Sequence, residues 1–204
     1  MPDRLGRLFF DRPTLSVARQ LLGQRLVRLE RGARLSGRII EAEAYIGPQD
    51  LGSHARVGRT RRNAAMWGPP GCAYVYFTYG MHWCLNIVTE GEGFPAAVLI
   101  RGLLPEEGLA RMRRRRGDRP DPILTDGPAK ICQALAIDRR LDGHDLCAPE
   151  AQLFVETCPP VPDDFVTIGP RVGLNNVPEP WKSVPWRFRL APEARSVLAK
   201  EVNR

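Results

Sequence analysis

The chain has 204 residues, is 43% hydrophobic and 26% charged, and carries a formal charge of +7. That length sustains one ordinary globular domain burying roughly 70% of its unfolded surface, and two compact domains would be cramped. The basic balance favours a polyanionic partner, because each Lys or Arg that neutralises a phosphate releases a counterion, but charge alone does not choose among partners.

In chain order, a helix is predicted over Thr14 to Leu22, with Pro13 at its first turn and Leu15, Ala18, Leu21 and Leu22 on one face. Strands are predicted at Arg25 to Arg28, Leu35 to Ile46, Ala73 to Thr78, Cys84 to Val88 and Ala96 to Arg101. Pro105, Glu106 and Glu107 read as the start of a second helix ending in Arg111 and Arg113 to Arg116 before Gly117, acid first and base last as the macrodipole prefers. A third helix follows at Pro128 to Ala136, burying Ile131 and Leu135, and two further strands at Leu153 to Glu156 and Trp186 to Leu190. Many short strands and few helices give an α+β class. The expected form is a single domain over residues 1–204, a curved, mainly antiparallel β-sheet flanked by helices with a protruding β-hairpin. The five cysteines, Cys72, Cys84, Cys132, Cys147 and Cys158, include no C-x-x-C pair and suggest neither a disulfide framework nor a zinc site. No metal or cofactor is expected. No apolar run is long enough to span a bilayer, and the start at Met1-Pro2-Asp3 lacks a signal peptide's pattern, so a reducing cytoplasmic compartment is expected.

All four tyrosines lie between Tyr45 and Tyr79, and no acidic residue occurs from Leu51 to Thr89. Strand alternation over Ile39 to Ile46 puts Glu41, Glu43 and Tyr45 on one face and Ile40, Ala42, Ala44 and Ile46 on the other. One face is core; the other is either a working surface or a merely solvated one. Gly47-Pro48 ends the strand directly after Tyr45, which places the carboxylates near a strand mouth. Around the Gly80 turn, Tyr79 and Met81 project at a hairpin tip, matching the apolar wedges that proteins push between base pairs, whereas Phe77 reads as core. His54 and His82 are each open to a structural reading, and Arg113 to Arg116 to that of a solvated helix face. A carboxylate in an aromatic, arginine-rich and otherwise acid-free stretch suits a protein that stacks on a flat base, holds a polyanion and uses one acid group for chemistry.

The runs Gly37-Arg38-Ile39-Ile40-Glu41-Ala42-Glu43-Ala44-Tyr45-Ile46-Gly47-Pro48, Ser53-His54-Ala55-Arg56, Tyr74-Val75-Tyr76 to Tyr79-Gly80-Met81, and Leu85-Asn86-Ile87 resemble the alkyladenine (3-methyladenine) DNA glycosylase family. The likeness continues through Val98 to Arg101, Gly127 to Leu135 and Pro170-Arg171-Val172-Gly173, covering nearly the whole chain in order. It implies that Glu43 is the general base activating a water, that Arg101 helps hold both, and that the backbone carbonyl of Val172 is a further water ligand. Tyr45 would stack on one face of a flipped base, His54 and Tyr76 on the other, and Asn86 would crowd the position of guanine's 2-amino group. Tyr79 and Met81 would enter the minor groove, while Arg56, Arg59, Arg61, Lys130 and Arg171 would meet the DNA backbone. The implied partner is double-stranded DNA with damaged purines, bound by a monomer, without membrane association and at the nucleoid in a bacterium. The implied reaction is monofunctional hydrolysis that leaves an abasic site, since a water nucleophile needs no Schiff-base lysine. The chain departs from the family's pattern at His82-Trp83 and in the Arg- and Pro-rich segment Arg113 to Asp126. A non-catalytic binder of lesion DNA, or an RNA-directed protein, would share the same charge and aromatics.

Overall fold

The computed structural model describes residues 3–202; the expectation drawn from Met1 and Pro2 lies outside them. Its helices are α1 (Arg7–Phe10), α2 (Thr14–Leu21), α3 (Leu109–Arg116), α4 (Pro128–Leu135) and α5 (Pro192–Val202). Its strands are β1 (Arg25–Glu30), β2 (Ala33–Ile46), β3 (Ala73–Thr78), β4 (His82–Val88), β5 (Ala96–Glu107), β6 (Leu153–Glu156), β7 (Val166–Gly169) and β8 (Arg187–Leu190). All eight strands join one sheet in the order β3-β4-β5-β2-β1-β6, with β8 added to β2 and β7 to β8, and every pairing is antiparallel. The α+β class and the antiparallel sheet are as the sequence predicts.

The long strand β2 organises the rest. Its first half, Ala33 to Arg38, pairs with β1, and its second half, at Glu41 to Glu43, pairs with β8, while β5 runs along the other edge from Ser36 to Ile46. The exchange of neighbours coincides with register breaks against β5 at Ile39/Glu41 and Glu41/Ala42, where a bulge bends the strand and sharpens its twist. Ala42 and Ala44 then face the main core with Val75, Leu85, Ile87, Val98 and Ile100, beneath Val17 and Leu21 of α2 and Ile131 and Leu135 of α4. The opposite face carries a smaller apolar cluster of Met66, Tyr74, Val88 and Ala97, against which Tyr45 and Tyr76 pack. The predicted alternation therefore holds, but the second face is enclosed rather than solvated.

One predicted element is wrong. Pro105 to Glu107 continue β5 and do not begin a helix, because both acids are committed across the sheet. Glu106 lies 2.5 Å from Arg25, and Glu107 lies 2.7 Å from Arg34 and 2.6 Å from the Ser36 hydroxyl. Pro105, with no N–H to give, sits opposite Gly37 at a register shift, a place where the ladder tolerates it. Helix α3 starts only after Gly108, which supplies the left-handed φ of 79°. Strand β7 and helices α1 and α5 are further elements that the sequence pattern did not reveal.

At the hairpin tip between β3 and β4, Tyr79 and Gly80 both have positive φ (50° and 65°), the handedness that matches the twist of the paired strands. Glycine takes that conformation freely, whereas tyrosine is strained in it. Tyr79 is 86% exposed and Met81 69%. Phe77, expected in the core, is 41% exposed and rests against Trp83 with ring centroids 4.7 Å apart, because β3 is an edge strand there and only β4 flanks it.

Candidate active site

Cross-strand partners in a sheet share a face, so the register alone lines up one row of side chains. Tyr74 pairs with Asn86, Asn86 with Leu99, Leu99 with Glu43, and Glu43 with Arg187, running across β3, β4, β5, β2 and β8. Tyr74, Asn86 and Leu99 of this row form the floor of a cavity of about 360 Å³, walled by Tyr45, His54, Tyr76, Arg101 and Val172 and closed at one side by Pro128 and Ala129 from the start of α4, and Glu43, next in the row, lies buried behind the wall. That volume lies within the range of small-ligand pockets, near its lower end, and leaves room for a purine base. The His54 and Tyr76 rings meet edge to face with centroids 4.5 Å apart, and His54 Nδ1 lies 2.8 Å from the Tyr74 hydroxyl. Burial first, then the nearby Arg62 and Arg56, lower the His54 pKa to about 4, so the ring is neutral near pH 7. Asn86 is buried, and its amide donates to the Tyr74 carbonyl at 3.0 Å, which fixes the side chain in the floor.

Glu43 is completely buried. One carboxylate oxygen, Oε1, accepts the Val172 backbone N–H at 2.7 Å and lies 3.2 Å from Arg101 Nε. The other, Oε2, accepts the Tyr45 hydroxyl at 2.9 Å and a long 3.5 Å contact from Arg101 Nη1. Burial raises the Glu43 pKa, and Glu41 adds to the rise; Arg101, the Val172 N–H and the Tyr45 hydroxyl oppose it. Burial likewise raises the Tyr45 pKa, so the phenol stays protonated and donates. Arg101 bridges both carboxylates, reaching Glu41 Oε1 at 3.1 Å, and Arg187 Nε lies 2.9 Å from the same Glu41 oxygen. The result is a charge-balanced cluster of two acids and two guanidinium groups, in which one acid is wrapped by donors directly beside an aromatic cavity. A carboxylate so placed can hold positive charge in a neighbouring group or take a proton from a water. Among the described residues no group of three or more His, Cys, Asp or Glu could hold a metal ion, and no lysine lines the cavity.

Comparison with known proteins gives this geometry its context. The family model for methylpurine-DNA glycosylase matches residues 8–194. The chain belongs to that family. It is 47% identical over 192 residues to a protein of Anaeromyxobacter dehalogenans strain 2CP-C, covering 94% of this chain and 85% of that one. It is 49% identical over 191 residues to one of Streptomyces avermitilis, covering 92% and 88%. A protein of Methanocella arvoryzae is 48% identical over 185 residues, with 90% of each chain covered. Each of the three is named "Putative 3-methyladenine DNA glycosylase".

Of the residues singled out from the sequence, Tyr45, His54, Tyr76, Asn86, Arg101 and Val172 line this cavity, Glu43 sits buried behind it on Tyr45, Arg101 and Val172, and Tyr79 is on its rim with Met81 beside it at the hairpin tip. Val172 contacts Glu43 through its N–H. Arg56, Arg59 and Arg61 are exposed on the loop after His54, and Lys130, half-buried, pairs with Asp126 at 2.7 Å. Arg171 is a correction: it does not face the surface where a DNA backbone would lie. Its side chain is wholly buried in a two-pronged ion pair with Asp50 at 2.5 and 2.8 Å. The arginine run of α3 is also largely committed within the protein, Arg113 to Asp121, Arg115 to Glu30 and Arg116 to Gln133. The sequence reading passed over Asp50, Tyr74's bond to His54, and Asn63, whose buried amide bonds the carbonyls of His54 and Gly58 and so shapes the arginine loop. Only Asn63, a turn-former inside a short polar loop, carried a local signal.

Proposed function

We propose that the chain is a monofunctional glycosylase that extrudes an alkylated or deaminated purine from duplex DNA into this cavity and hydrolyses its N-glycosidic bond, leaving an abasic site. The observation that carries the reading is the buried, donor-wrapped Glu43 carboxylate directly behind the wall of an aromatic pocket with room for a base. The base would stack on Tyr45, with the His54–Tyr76 pair on its other face. As the glycosidic bond lengthens, its electron pair goes to the departing base, and C1′ gains the positive character that a nearby carboxylate stabilises. A water then bonds to C1′ and gives its proton to Glu43. Oε2 is the better candidate to receive it, since that oxygen holds the looser contacts, the Tyr45 hydroxyl and the 3.5 Å arm of Arg101. In the free protein no part of Glu43 is exposed, so the reading requires the water to take the place of one of those donors. Absence of a lysine along the cavity wall supports hydrolysis over a Schiff-base route.

Tyr79 and Met81 would fill the gap that extrusion leaves in the stack, Asn86 would exclude purines with a 2-amino group, and Arg56, Arg59, Arg61 and Lys130 would meet phosphates. The protein would act as a monomer in the cytoplasm or at the nucleoid; among the described residues no helix is long and apolar enough to cross a membrane. The test is a panel of duplexes, each with one modified purine (3-methyladenine, 7-methylguanine, hypoxanthine or ethenoadenine), scored for strand breaks after alkali. Breaks confined to the modified position are expected. Tight binding without breaks on any duplex would make the chain a lesion binder instead.

A further inference from the structure

The Asp50–Arg171 pair belongs neither to the cavity wall nor to the surface. Both side chains are fully buried. Arg171 Nη1 donates to Asp50 Oδ2 at 2.5 Å and to the Ala44 carbonyl at 3.1 Å, and Nη2 to Asp50 Oδ1 at 2.8 Å and the Trp181 carbonyl at 3.3 Å. Asp50 in turn accepts the N–H groups of Ile46 and Gly52 at 3.3 and 2.9 Å. The pair thus ties together the end of β2, the turn after it and the segment that carries Val172. The remaining donor, Arg171 Nε, is buried with no polar partner, and the guanidinium carbon lies over two rings, 4.6 Å from the Tyr45 centroid and 5.1 Å from that of Trp186. A buried ion pair is a poor way to gain stability, since apolar side chains of similar volume often do as well, so geometry is the better account of this one.

We propose that Asp50 and Arg171 are positioning residues that join the two halves of the site, backing the Tyr45 ring on the side away from the cavity and aiming the adjacent Val172 N–H at Glu43. The inference rests on the glycosylase reading above. Arg171 does not line the cavity, yet it touches the ring that would stack on the base and is bonded through the chain to the amide that holds the carboxylate at 2.7 Å. One rigid group therefore sets both where a base is stacked and where its carboxylate points.

The experiment compares wild type with Arg171→Met, Arg171→Lys and Asp50→Asn in single-turnover excision of hypoxanthine from a duplex between pH 5 and 9. Binding to a duplex with a tetrahydrofuran abasic analogue, which offers no base to stack, is measured alongside. Misplacing the carboxylate and ring predicts a loss of roughly 10- to 100-fold in excision for Arg171→Met. It also predicts an acid limb moved up by about one pH unit, as Glu43 loses a donor to its charged form. Tetrahydrofuran binding should stay within about threefold of wild type, and Arg171→Lys, which keeps the cation but not the fork, should fall between. If Arg171→Met does not fold, Arg171→Lys and Asp50→Asn carry the same readouts. An unmoved acid limb in the folded variants, or excision and tetrahydrofuran binding lost in equal proportion, would overturn the proposal and leave the pair purely structural. A wild type that excises nothing would instead refute the glycosylase reading on which it rests.

Discussion

Replacing Tyr79 with alanine isolates the proposed wedge from everything else in the site. The side chain is 86% exposed and sits in a left-handed turn, so it contributes little packing to the folded state. Its removal should shift stability by no more than about 0.5 kcal/mol. In a duplex the same ring would pass from nearly full exposure to burial between base pairs, a transfer worth roughly 1.5–3 kcal/mol for a large side chain. Taking about 2 kcal/mol, lesion-duplex affinity should fall about 30-fold. Extrusion itself costs only a few kcal/mol, so the loss is large enough to lower the flipped fraction measurably. The assay is excision of one lesion placed in duplex and in single-stranded DNA, with 2-aminopurine fluorescence beside it and thermal melting of both proteins. The loss should be confined to the duplex. An equal loss on single-stranded DNA, or a melting temperature lowered by several degrees, would show that Tyr79 belongs to the pocket wall or the core.

Three further outcomes follow from the same geometry. Asn86→Ser should raise excision of 7-methylguanine relative to hypoxanthine by about tenfold, because removing the amide matters only for bases with a 2-amino group; equal changes on both would clear Asn86 of the selectivity role. For Glu43 the acid limb of excision should lie above the ordinary carboxylate value of about 4.3, since burial raises its pKa and only the ionised form is a base, so activity is present at higher pH and lost as pH falls through that limb; a limb at or below 4.3 would contradict this. For His54 the folded pKa of about 4 lies below the unfolded value of about 6.5, so its contribution to stability is complete above pH 6.5 and lost as pH falls toward 4. His54→Gln should therefore flatten the decline in melting temperature between pH 7 and 4.5, and an unchanged slope would show that other groups govern it.

How much of this was legible in the sequence depended on the distance over which the deciding contact acts. The alternation over Ile39 to Ile46 and the tyrosine-bearing strand Ala73–Thr78 were readable because a period of two needs only neighbouring residues. The assembly of Tyr74, Asn86 and Glu43 into one row needed the pairing of four strands, which no local pattern supplies. Pro105 to Glu107 misled because a proline followed by two acids is a sound local helix start, and it was overruled by Arg25 and Arg34 some seventy to eighty residues away. The phosphate contact that the resemblance implies for Arg171 fails at similar range, because Asp50, 121 residues earlier, buries it in an ion pair that no local pattern shows.

The central claim, that Glu43 is the base for hydrolysis of a purine held in this cavity, is tested most directly by single-turnover excision with Glu43→Gln on the best substrate of the wild type, with lesion-duplex affinity measured alongside. Glutamine keeps the shape but cannot accept the proton, and loss of positioned general-base catalysis alone is worth roughly 10² to 10⁴ in rate. The account predicts a loss of at least that order with affinity within about threefold of wild type. Excision within about tenfold of wild type by the folded variant would contradict it.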